Sequence, residues 1–100
     1  MAKPRANEPP QVAIRLPHRL RALAGGEKLV GVSGRTVGEA LDDLTARYPE
    51  LRPRLREASG QLRSSVLFFL NSEDIRARQE EATPVADGDV LAIVPVAEGG

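Results

Sequence analysis

The stretch DGDVLAIVPVAEGG, residues 87–100, decides how this chain is built. Asp87-Gly88 predicts a turn, because Asp bonds the local backbone and Gly accepts unusual φ values. Residues 90–94 then predict a strand. Val90, Ala92 and Val94 point one way and Leu91 and Ile93 the other, so both faces are apolar. A strand of that kind reads as central in a sheet. Pro95 has no N–H to give to a ladder, so it marks where the strand leaves the sheet. The chain ends on Gly99-Gly100, which offer no side chain to pack.

Working outward, SSVLFFLN predicts the strand that matches it. Val66, Phe68 and Leu70 face one way, and Leu67 and Phe69 the other. NSEDIRA reads as a tight turn into a short edge strand near Ile75. Upstream, QVAIRL alternates with period two, placing Val12, Ile14 and Leu16 on one face until Pro17 stops the strand. Gly25-Gly26 predicts the turn of a wide hairpin into a second strand over residues 28–33.

Between these pairs lies the clearest helix. Thr36 and Glu39 have capping-box spacing. Val37, Ala40, Leu41, Leu44 and Tyr48 form one apolar stripe. Pro49 disfavours helical geometry at Tyr48 and ends it. ELRPRLREA adds a weaker helical turn. The order β-β-α-β-β-β predicts an α+β fold, a mixed sheet of four to five strands with one main helix on one face. One helix covers one face only. The second apolar face is either covered by residues 49–63 or left open as a docking surface.

The chain's 100 residues make one domain. Residues 1–10, with three prolines and almost nothing apolar, read as a disordered leader. Residues 11–96 read as the folded domain and 97–100 as a flexible tail. The 14 Lys and Arg balance the 14 Asp and Glu, so no net field attracts nucleic acid or an anionic membrane. There is no cysteine, and so no thiolate nucleophile and no thiolate metal site. No signal-peptide pattern is visible, and no apolar run approaches the about 20 residues that span a bilayer. A cytoplasmic protein is the expectation.

The inventory argues against an enzyme. His18 is the only histidine and follows Pro17 in a polar loop. No serine has nucleophile-elbow context, no phosphate-cradling glycine loop is present, and no metal site is expected. Asp87 and Asp89 read as turn chemistry. Arg47, Arg52, Arg54, Arg56 and Arg63 read either as a solvated face or as an electrostatic docking patch for an acidic partner. The candidate for chemistry is the terminal carboxylate. Four extended residues, 97–100, reach about 13–14 Å, and glycine backbone fits a narrow channel. A carboxylate on such a tip is a poor electrophile until a partner enzyme activates it.

The D-G-D turn, the final strand, Pro95 and Gly99-Gly100 resemble the ThiS/MoaD family of ubiquitin-like sulfur carriers. AGGEKLVGVSGRTVGEALDDL, FLNSEDIR and VADGDVLAIVPVAEGG narrow the resemblance to the actinobacterial branch that serves cysteine synthesis. The resemblance covers residues 11–100 and implies a β-grasp fold. It implies that an E1-like enzyme uses ATP to adenylate the Gly100 carboxylate, with Gly99 its required neighbour, and that sulfide then yields a thiocarboxylate. The carrier itself binds no cofactor. The implied sulfur acceptor is a PLP-dependent cysteine synthase or a thiazole-synthase-like enzyme, with a metal-dependent protease as a further partner. Leu67, Phe69, Pro95 and Val96 are the expected partner-docking residues. The long stretch 49–64 departs from the short thiamine-type carriers. Three alternatives stand beside the carrier: a small subunit of molybdopterin synthase, a modifier joined to target lysines, and a β-grasp binding module without tail chemistry.

Overall fold

The computed structural model describes residues 8–96. The expectations for residues 1–7 of the leader and for the tail, 97–100, lie outside the described residues. Five strands are present: β1 (Gln11–Arg15), β2 (Leu29–Ser33), β3 (Val66–Leu70), β4 (Glu73–Asp74) and β5 (Val90–Pro95). Three helices accompany them: α1 (His18–Arg21), α2 (Val37–Arg47) and α3 (Arg52–Leu55). The strands form one mixed sheet in the order β2-β1-β5-β3-β4. β5 is parallel to β1 and antiparallel to β3, so the strand with two apolar faces is the central one.

α2 forms where the apolar stripe predicts it. Val37, Ala40, Leu41 and Leu44 are buried against the sheet, each large side chain worth about 1.5–3 kcal/mol of transfer free energy. Thr36 Oγ1 accepts from the Glu39 N–H at 3.2 Å. The return bond of the capping box falls one residue early: Glu39 Oε1 accepts from the Arg35 N–H at 2.9 Å. The helix starts tightly against the strand before it. A Cβ on Gly34 would stand 2.6 Å from the Ala40 nitrogen and 2.9 Å from the Glu39 carbonyl carbon. Both are backbone atoms that cannot give way, so only glycine fits.

β1 and β2 form the expected hairpin, with Gly25 and Gly26 at positive φ, but its wide loop is helical. α1 and a 3-10 turn at Ala22–Ala24 bury Leu20 and Ala24. The edge strand expected near Ile75 lies two residues earlier. Asn71 and Ser72 both have positive φ, the geometry of a two-residue hairpin, and β4 follows at once. It stops because the Asp74 carboxylate accepts from the Arg76 N–H at 2.9 Å and starts a 3-10 turn at Ile75. Ile75 is buried in the core rather than paired at an edge.

Residues 49–63 join the helix side. Leu51 and Leu55 are fully buried in the one core that also holds Phe68, Leu70, Leu91 and Ile93. Among the described residues the opposite face of the sheet is therefore left open. No helix among the described residues is long and apolar enough to cross a membrane.

Candidate functional site

The site is built at the end of β5. The Asp87-Gly88-Asp89 turn sets that strand's position. Asp87 Oδ1 accepts from the Gln11 N–H at 2.8 Å, at the first residue of β1. Asp89 Oδ2 accepts from the Ala86 N–H at 2.7 Å, and Oδ1 accepts from Asn71 Nδ2 at 2.9 Å. Gly88 supplies the positive φ. Both carboxylates are therefore spent on strand placement, the role the turn reading assigns them.

From there β5 runs between β1 and β3 to its last pair, Pro95 opposite Val66. One further bond, Val96 N–H to the Ser65 carbonyl at 2.8 Å, is the final tether among the described residues. Gly99 and Gly100 lie outside the described residues. The chain toward them leaves from the centre of the sheet, held on its β3 side to residue 96.

Beside this exit lies the open face. Leu67 pairs with Val94, and Phe69 with Ala92. Leu67 and Phe69 are half-buried, whereas Val94 is 40% and Val96 42% exposed. Alternation puts Val96 on the side of Val94 and Leu67. Pro95 alternates to the side of Val66, so it stands at the rim and apart from Leu67 and Phe69. Arg15, opposite Ala92, and Leu29, opposite Arg15, continue the open face across β1 and β2. A depression of about 380 Å³ lies among Arg15, Phe69, Ala92 and Val94. Val94, Arg15 and Leu29 share this face but are not among the residues that the sequence reading expected to dock partners. The same period-two count that picked Leu67 and Phe69 carries the signal for them.

The basic stretch resolves toward structure. Arg56 is buried and forks onto Glu81 at 2.6 and 3.0 Å, with Asp42 at 3.3 Å. The Glu81 hydrogen bond holds the guanidinium pKa above its ordinary value, against the pull of burial. Arg47 donates to the Gly31 carbonyl and Arg63 to the Pro53 carbonyl. Three of the five arginines thus serve internal contacts, which leaves Arg52 and Arg54 on the surface. His18 is exposed at the start of α1. No group of three or more His, Cys, Asp or Glu that could hold a metal occurs among the described residues.

Comparison with known proteins follows the same lines. The ThiS family model matches residues 14–100, a span that takes in Gly99-Gly100. The sulfur carrier protein CysO of Mycobacterium tuberculosis is 40% identical over 91 residues, covering 89% of this chain and 98% of that protein. Its crystal structure superposes with a TM-score of 0.80, covering 86% of this chain and 99% of that one. CysO in the Amycolatopsis orientalis BexX/CysO complex gives a TM-score of 0.82 at 36% identity, covering 89% and 99%. The small archaeal modifier protein 1 of Methanosarcina acetivorans gives 0.85 at 28% identity, covering 94% and 100%. The mixed five-stranded sheet with α2 packed on one side is the ubiquitin-like β-grasp of these neighbours.

Proposed function

The chain belongs to the ThiS family, and from that premise we propose that it is a sulfur carrier, a protein co-substrate rather than a catalyst. An E1-like enzyme transfers AMP from ATP to the Gly100 carboxylate and releases pyrophosphate. Sulfide then displaces AMP, so that the bond from the terminal carbonyl carbon to the AMP oxygen breaks as a C–S bond forms. The thiocarboxylate gives up its sulfur to a biosynthetic enzyme. Similarity to the CysO carriers favours cysteine synthesis by a PLP-dependent synthase as the destination, with a protease releasing the product. A CysO crystallised in complex with BexX supports the binding of partner enzymes. ATP-driven activation of this kind belongs in the cytoplasm.

The observation that carries the reading is the mounting of the C-terminal segment. β5 is paired on both flanks, the Val96 tether holds to the last described residue, and Gly99-Gly100 come three and four positions later. Such a mounting keeps the folded domain outside an active site while a narrow tip enters it. The open face beside the exit, with Leu67, Phe69, Val94 and Val96, is the handle that partner enzymes grip; Pro95 stands at its rim. Incubation with an E1-like enzyme, ATP and sulfide is expected to add about 16 Da to the intact mass, the exchange of one oxygen for sulfur at an activated acyl group. An unchanged mass with an enzyme that activates a CysO carrier in the same tube would contradict the proposal.

The likeness to an archaeal modifier protein supports a second reading, conjugation through Gly100 to target lysines. Both readings share the activated tail. A Gly-Gly remnant on lysines of cellular proteins is the result that would favour conjugation.

A further inference from the structure

A sheet edge presents unpaired N–H and C=O groups that template pairing with another chain. This sheet has two edges, and they are treated differently. β4 is two residues long and carries ion pairs, Asp74 with Arg76 and Glu73 with Arg78. Brevity and charge blunt it. β2 is five residues long and carries no charged side chain.

The β2 edge is blocked in another way. The Leu16 N–H bonds the Lys28 carbonyl, so even-numbered residues of β2 turn their backbone groups toward β1. Leu29, Gly31 and Ser33 turn theirs outward. Two side chains one turn apart on α2 reach over to meet them. Asp43 Oδ2 accepts from the Ser33 N–H at 2.9 Å, and Arg47 Nη1 donates to the Gly31 carbonyl at 2.9 Å. Asp43 and Arg47 also face each other at 3.6 Å. As a surface ion pair this contributes little to stability. Its position on the ladder groups suggests a different use.

We propose that the Asp43–Arg47 pair guards the β2 edge against pairing with the β2 edge of a second copy of this chain. The edge is suited to that partner. An antiparallel two-fold through Gly31 makes the contact self-complementary. Gly31 has no side chain, so at the two-fold the paired positions of the two copies would not crowd each other on the sheet face. Leu29, 47% exposed, adds apolar surface beside it. The inference is independent of the tail chemistry.

Light scattering on the full chain tests it. The natural protein is expected to stay at 10.8 kDa as concentration rises. The Asp43→Ala/Arg47→Ala double variant is expected to move toward twice that mass. Adding Gly31→Pro removes an outward N–H and no bond to β1, and should return the double variant to the monomer. Should the double variant lose its circular dichroism signal, Arg47→Ala alone carries the test, with a smaller shift in the same direction. A folded double variant that stays monomeric overturns the proposal. So does assembly that Gly31→Pro leaves intact, or a natural protein that is already a dimer through this edge.

Discussion

On one face of β3 and β5, Phe68, Leu70, Leu91 and Ile93 sit in the core beneath α2 and residues 49–63. On the other, Leu67, Phe69, Ala92 and Val94 face out, and Val94 is 40% exposed. The side chains are of the same kind, and along each strand they alternate. What differs is the layer above them. The closed face has leucines from the helix side and a buried arginine clamp; the open face has none of these. Apolar character alone therefore does not assign a residue to stability. The closed face holds the domain together, and the open face is the proposed docking surface.

The contrast breaks first at neighbouring positions of β5. Leu91→Ala removes a fully buried side chain and should cost about 2–5 kcal/mol by denaturant titration. Val94→Lys, three residues along and on the other face, should change stability by under about 1 kcal/mol. It should lower kcat/KM for activation by the E1-like enzyme about tenfold, which is about 1.4 kcal/mol of lost docking. A Val94→Lys protein that unfolds like Leu91→Ala, yet is activated normally once refolded, would erase the distinction.

Arg56 sharpens the same comparison from the helix side. It ties residues 49–63 to α2 through Asp42 and to the 80–82 turn through Glu81. Arg56→Ala should cost about 1.5–3 kcal/mol, the range for hydrogen bonds to charged groups. Arg56→Met keeps the buried stem and should cost less, because Glu81 and Asp42 reach solvent and rehydrate. Equal losses for both variants would place the stabilisation in the ion pair rather than in packing.

Much of this was legible because burial imposes periods. Residues 11–15 alternate with period two and are a strand; 66–70 and 90–94 are short, wholly apolar runs and are strands with two apolar faces; the stripe from Val37 to Leu44 has period 3.6 and is α2. α1, α3 and β4 are too short for a period to accumulate, and they form because tertiary contacts hold them. Gly34 gave no local signal, since its need for a bare Cα arises from the helix that begins three residues later. Arg56 reads as a surface residue until Glu81, 25 positions away, is brought to it. Which apolar face stays open is likewise a question about residues 49–63, settled only when Leu51 and Leu55 are seen to pack on the helix side. Of the residues expected to dock partners, Leu67 and Phe69 share the open face, whereas Pro95 alternates away from them.

The smallest expected effect lies at the charged β4 edge. Hydrogen bonds from the Arg76 side chain and backbone hold the Asp74 pKa below its ordinary value. A depressed carboxylate contributes stability above its unfolded pKa, and that contribution is lost as pH falls through the folded value. Arg76→Ala should move the Asp74 titration, followed by NMR, back up toward the usual aspartate range. The same variant should leave both sheet faces unchanged.

The central claim is that the domain is a handle and Gly100 the working group. Its most direct test is the intact mass of the protein isolated from its own cells without reductant or alkylating agent. A population heavier by about 16 Da is expected, with the added mass confined to the C-terminal peptide ending in Gly100. A tail found only as the free carboxylate while the sulfur pathway is running, or only joined to lysines, would contradict it.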